Sequence, residues 1–214
     1  MNNSDNRRWA ITGLITVALW VAGVFLVTQH QPGDHATGSE ILAFYKSNTN
    51  TILLGGWLFM LGCLGFVTFV SGLRLRLADV VGERSQLPGL AFAGAVMTGV
   101  FGMIFAATDV GGAIDKTDIG PSTAAAFHHL GDVFFVCAEL AAMLPIGVVA
   151  LIAWRTRVLP RWWAVFSGLL VILLLIGPVG WIGVIFGLPI WTLGTSLFVL
   201  LRSRAPMRTA AAVA

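Results

Sequence analysis

Charge is scarce in these 214 residues: Asp, Glu, Lys and Arg together make up 11%, against 57% hydrophobic, where a soluble chain carries roughly a quarter charged. So few charges cannot cover a water-soluble fold, and a soluble domain is excluded. Lysine is nearly absent, with only Lys46 and Lys116 among 13 basic residues. The net charge of +3 is too small for a nucleic-acid face, so no nucleic-acid partner is expected. Cys63 and Cys137 are the only cysteines and both sit in apolar runs, which excludes a disulfide framework and a cysteine-rich zinc module.

The apolar material falls into runs over 9–28, 51–73, 87–108, 125–154, 160–177 and 181–201, each near the ~20 residues that cross about 30 Å of hydrocarbon. The first is read as an uncleaved span, since no small-x-small cleavage site follows it. The last two are divided at Gly177-Pro178-Val179-Gly180, where proline and paired glycines break a helix, with Gly187-Leu188-Pro189 as a competing break. The expected fold is all-α: one polytopic domain, a six-helix transmembrane bundle with the lipid bilayer as its first partner.

Sorting basic residues into alternating loops puts Arg7, Arg8, Arg74, Arg76, Arg84, Arg155, Arg157, Arg161, Arg202, Arg204 and Arg208 on one side and Lys46 and Lys116 on the other. That asymmetry predicts both termini in the cytoplasm and a multi-pass protein of the inner cell membrane. Trp9, Trp154, Trp162 and Trp163 would then mark the inner interface, and Trp57 and Trp181 the outer one. The outer loops become 29–50 and 109–124. Within the first, residues 39–46 have apolar positions at helical spacing, as in a short amphipathic helix anchored on the membrane surface.

Span three carries Gly94, Thr98, Gly102 and Ala106 at four-residue intervals. Such a stripe lets helix backbones approach closely in lipid. Packing within the chain is the first reading and a homo-oligomer joined through the stripe is the second. Pro145 in span four and Pro189 in span six are expected to kink their helices.

Ionisable residues enter the apolar region in span four: His128, His129, Asp132 and Glu139. At 100° per residue, Asp132 lies about 40° and Glu139 about 20° from His128 around the helix, forming one stripe about 16 Å long. Arg161, at the edge of the fifth run, is the one Lys or Arg within these bounds and no basic residue lies at the depth of Glu139, which must be protonated, hydrated or tied to a neighbouring helix. One reading is a proton relay with Glu139 as switching acid, Asp132 as relay and His128 as outer proton acceptor. The other is a neutral Glu139 that only ties helices together.

The outer loops add His30, Asp34, His35, Glu40, Asp109, Asp115 and Asp118. Asp109 joins the candidate binding residues. His128, His129, His35 and Asp109 could supply imidazole and carboxylate ligands to a divalent metal, although their spacing does not require one, and no cofactor is implied.

Ser39-Glu40-Ile41-Leu42-Ala43-Phe44, Val158-Leu159-Pro160-Arg161-Trp162-Trp163 and the closing Trp191-Thr192-Leu193-Gly194 give the chain a layout that resembles six-span bacterial membrane proteins grouped as families of unknown function. The resemblance implies a fold and a membrane location but no activity. The functional expectation is proton-linked transport or sensing of a small solute or ion through an outward-facing polar cleft. A metal-dependent hydrolase at the outer mouth and a non-catalytic scaffold subunit are the alternatives.

Overall fold

The structure, a computed structural model, describes residues 3–33, 35–82 and 84–202, without the side chains of residues 3–8, 178 and 202. Asp34, Arg204 and Arg208, and the side chains of Arg7, Arg8 and Arg202, therefore lie outside what is described. The chain is all-α, 87% helical, with no strand among the described residues. The helices are α1 (Asn3–Thr28), α2 (Gly38–Ser47), α3 (Thr49–Val81), α4 (Leu87–Ile114), α5 (Pro121–Thr156), α6 (Arg161–Leu175), α7 (Gly177–Ile182) and α8 (Leu188–Arg202), with a π-helical turn, Gly183–Gly187, joining α7 to α8.

Five stretches are long and apolar enough to cross a membrane: Trp9–Thr28, Thr49–Val81, Leu87–Ile114, Pro121–Thr156 and Val179–Leu201. The span expected over 160–177 is shorter. With 15 residues, α6 rises about 22 Å, less than the ~30 Å of a hydrocarbon core. Ile176 leaves helical geometry at φ −90° and ψ 84°, just before Pro178, which has no N–H to continue the ladder and crowds the preceding residue.

The other helices overrun their apolar cores, because charged and polar residues end the hydrophobic run without ending the helix. α4 continues to Ile114, so Asp109, expected in a loop, sits in a helix. α5 starts on Pro121, suited to a first turn, and ends on Arg157 in the left-handed region at φ 58°. Its 36 residues run about 54 Å, and Pro145 sits inside the helix without ending it.

Glycines decide how the helices meet. α4 lies between α3 and α5: a side chain at Gly94 would meet Leu144 and Pro145 of α5, and one at Gly102 would meet the Cys63 sulfur of α3 at 2.9 Å. The Thr98 hydroxyl donates to the Gly94 carbonyl at 2.8 Å, and the Ala106 backbone lies near Gly56 of α3. The whole stripe is thus consumed inside the chain. Along α1 and α3, Trp9 rests on Gly72, Thr16 on Gly65 and Trp20 on Gly62, while the Gly23 and Gly55 backbones touch. Glycine leaves the hollow each indole fills, so Trp9 is a packing residue, as is Trp163 against Gly194, and both are buried. Trp57, Trp154, Trp162 and Trp181 stay exposed on the bundle surface.

α6 and α8 form an antiparallel hairpin. Trp163 pairs with Thr195 through an indole N–H donated at 3.1 Å, and Trp191 donates to Ser167 at 3.0 Å. Nearer the turn, Leu170 meets Gly187 and Leu174 meets Gly183. The apex falls at Ile176–Gly180, with Gly180 pressed against Glu139 near the middle of α5.

Candidate functional site

The end of the bundle carrying α2 holds a buried polar network. α2 begins with a capping box, in which Thr37 accepts from the Glu40 N–H and Glu40 accepts from the Thr37 N–H at 2.7 Å. These bonds satisfy donors that a helix start leaves orphaned. Accepting the Thr37 backbone N–H and then its hydroxyl holds the Glu40 carboxyl below its ordinary value. Ile41, Leu42, Phe44 and Tyr45 form the apolar face of α2 and are buried with Ile52, Ala113 and Ala124. The helix expected to anchor on the membrane surface therefore packs its apolar face against the bundle, mainly on α5.

Tyr45, the only tyrosine in the chain, lays its ring on the Cα of Gly112 and donates its hydroxyl to Asp109 Oδ1 at 2.8 Å. His128 Nδ1 lies 3.3 Å from the same oxygen. Tyr45, Asp109 and His128 are 0%, 6% and 9% exposed, respectively. The Tyr45 hydroxyl of α2 and the His128 ring of α5 thus converge on one carboxylate oxygen of α4. This ties the three helices together.

Burial, then the nearby Asp109 charge, raises the Tyr45 pKa above the ordinary tyrosine value. A raised folded value means the network's contribution is fully present below the unfolded value of about 10 and fades as pH rises toward the folded one. With a single tyrosine, tyrosinate absorbance reads this residue alone. It should stay flat through about pH 10 in folded protein and rise near that pH after denaturation. A folded-state midpoint near 10 would contradict the buried bond.

His128 also faces a cleft of about 530 Å³, with Thr28, Gln31, Ile41, His129 and Asp132 among its walls. There His129 Nδ1 stands 3.7 Å from Asp132 Oδ2, with side chains 61% and 62% exposed. Axial rise puts Asp109 about 25 Å along α4 from Phe92, over whose ring the Arg74 guanidinium lies.

The stripe of His128, Asp132 and Glu139 is not assembled as a relay. Asp132 turns out to His129 in the cleft, while Gly131 and Phe135 continue the buried face of α5. Gly131 packs on Thr108 and Phe105, and Phe105 meets Phe135 at 5.2 Å and Phe59 at 5.8 Å between ring centroids. Glu139 is 3% exposed, with its carboxyl against the Cα of Gly180.

Asp109 and His128 are committed to one pair and His129 and Asp132 to another, and His35 is exposed. Among the described residues no three His, Cys, Asp or Glu side chains gather where they could hold a metal ion. Tyr45 escaped the sequence reading, although a lone tyrosine on the apolar face of an amphipathic helix was its signal. No protein family, curated protein or solved structure matches the chain.

Proposed function

We propose that the chain is a multi-pass protein of a cytoplasmic membrane whose α2 end opens outward, and that its cleft takes up a small cation or protonated amine in exchange for a proton on His128. The arginine-rich connections support a cytoplasmic placement of both termini. α6 and α8 count as the fifth and sixth membrane segments; because they leave from and return to the same end, the placement of the termini does not depend on how deep their hairpin reaches.

The observation that carries the reading is the double position of His128, which is hydrogen-bonded to a buried carboxylate and at the same time part of the cleft wall. A proton on its ring compensates Asp109. A cation in the cleft, whose walls include Asp132 and no lysine or arginine, disfavours that proton by like-charge repulsion. The substrate class is therefore set by charge and by a volume suited to a small molecule.

The test uses purified protein in sealed vesicles containing a trapped pH indicator, challenged with a panel of small amines and alkali cations. At least one should drive proton movement, with the rate at least about tenfold lower in His128→Gln, the scale on which a positioned acid–base group acts. Equal rates in the two proteins would dispose of the exchange.

A further inference from the structure

We propose a second ligand site, for a monovalent cation such as sodium, where Glu139 meets the apex of the α6–α7 hairpin. The site is remote from the cleft, about 16 Å along α5 from His128.

Three observations converge there. Glu139 is 3% exposed, and among the described residues its carboxyl has no hydrogen-bond or ion-pair partner. A carboxylate so placed in an apolar stretch calls for a positive charge or a donor. Next, the hairpin apex strips carbonyls of their helical donors. The Leu174 carbonyl would be served by the N–H of residue 178, but that residue is proline and has none. The Leu175 carbonyl would be served by Val179, whose N–H goes to Ile176 instead at 2.9 Å. Finally, Gly180 has no side chain to keep the carboxyl off the turn, and any Cβ there would collide with Glu139.

A helix break that frees backbone carbonyls in the same turn whose Gly180 touches a buried acid is an arrangement suited to alkali cations. All the available ligands are hard oxygens, which disfavours soft transition metals. One carboxylate balances one positive charge, and a divalent ion would remain half uncompensated. The π-helical turn Gly183–Gly187 follows directly, with Leu188 N–H reaching back to the Gly183 carbonyl, so the segment beyond the apex already departs from regular α geometry.

The experiment follows thermal unfolding of the detergent-purified full chain in sodium, potassium or N-methylglucamine chloride at equal ionic strength and fixed pH. Sodium or potassium at about ten times its dissociation constant should raise the midpoint by about 3–5 °C. The rise should vanish in Glu139→Gln and persist in His128→Gln, so failure of this site and failure of the cleft exchange are read separately. Identical midpoints in all three salts, in the unmodified protein, would mean that a proton alone neutralises Glu139 and would overturn the cation site. An undiminished rise in Glu139→Gln would overturn it equally. Should Glu139→Gln not fold, Gly180→Ala, whose Cβ would fall on the Glu139 carboxyl, should abolish the rise instead, and an undiminished rise there would overturn the site.

Discussion

Asp109→Leu is expected to lower stability by about 3–5 kcal/mol, because it removes the carboxylate oxygen on which the Tyr45 hydroxyl and His128 Nδ1 converge and leaves the fully buried Tyr45 hydroxyl without its acceptor. For a chain of this size that corresponds to a fall of about 10 °C in the unfolding midpoint. The loss should be uneven. Among the described residues, Tyr45 gives α2 its one side-chain hydrogen bond to α4, so the amides of α2 should exchange fastest, while those of α1 and α3 keep their protection. Asp109→Asn, which retains a carbonyl acceptor but loses the charge, should cost roughly half as much. A midpoint for Asp109→Leu within about 1 °C of the unmodified protein would show that the network contributes nothing to stability.

Gly94→Leu should be comparably damaging for a different reason. The new Cβ would fall on the Leu144 Cβ and the Pro145 Cδ, the latter at 2.7 Å. Neither is the loose end of a long side chain that could swing away. α4 and α5 would have to part along the closest helix pair in the bundle, at a cost of about 3 kcal/mol or more. Gly89, on the same helix, has nothing within 4 Å of its would-be side chain, so Gly89→Leu should change stability by no more than about 0.5 kcal/mol. Thermal midpoints of the two variants, measured side by side, separate close packing from any general intolerance of α4 to bulk. Equal midpoints would remove the basis for placing Gly94 at a backbone contact.

How far the fold could be read from the sequence differs from element to element. α1, α3, α4, α5 and the closing helix follow from runs of apolar residues because lipid demands such runs. The small residues of α4 likewise announce close packing. α6 has the composition of a span, but its length is set by the break at Ile176 and Pro178, a property of the backbone ladder that no apolar run reveals. The candidate site was half legible. His128 and Asp109 were both named, but their pairing depends on α4 running five residues past Asp109, which no apolar run reveals. Asp132 was placed with the buried stripe because it lies only about 40° from His128 around the helix. That offset is enough to carry a carboxylate out of the packed seam and into the cleft, where His129 meets it. The partner of Glu139, Gly180, lies far away in sequence, and nothing local to either residue links them.

The short α6 also bears on how the chain is made. A ribosome delivers α6 before α8, yet α6 alone rises only about 22 Å and ends in carbonyls without donors. Its indole and hydroxyl groups at Trp163 and Ser167 meet Thr195 and Trp191 only once α8 exists. Its stable form in lipid should therefore be the completed hairpin, with the last quarter of the protein integrating as a pair of helices after α5 has settled. Chains truncated between Leu175 and Val179 should consequently leave a cysteine introduced at the exposed Leu169 open to a membrane-impermeant thiol reagent, whereas chains reaching Arg202 should protect it.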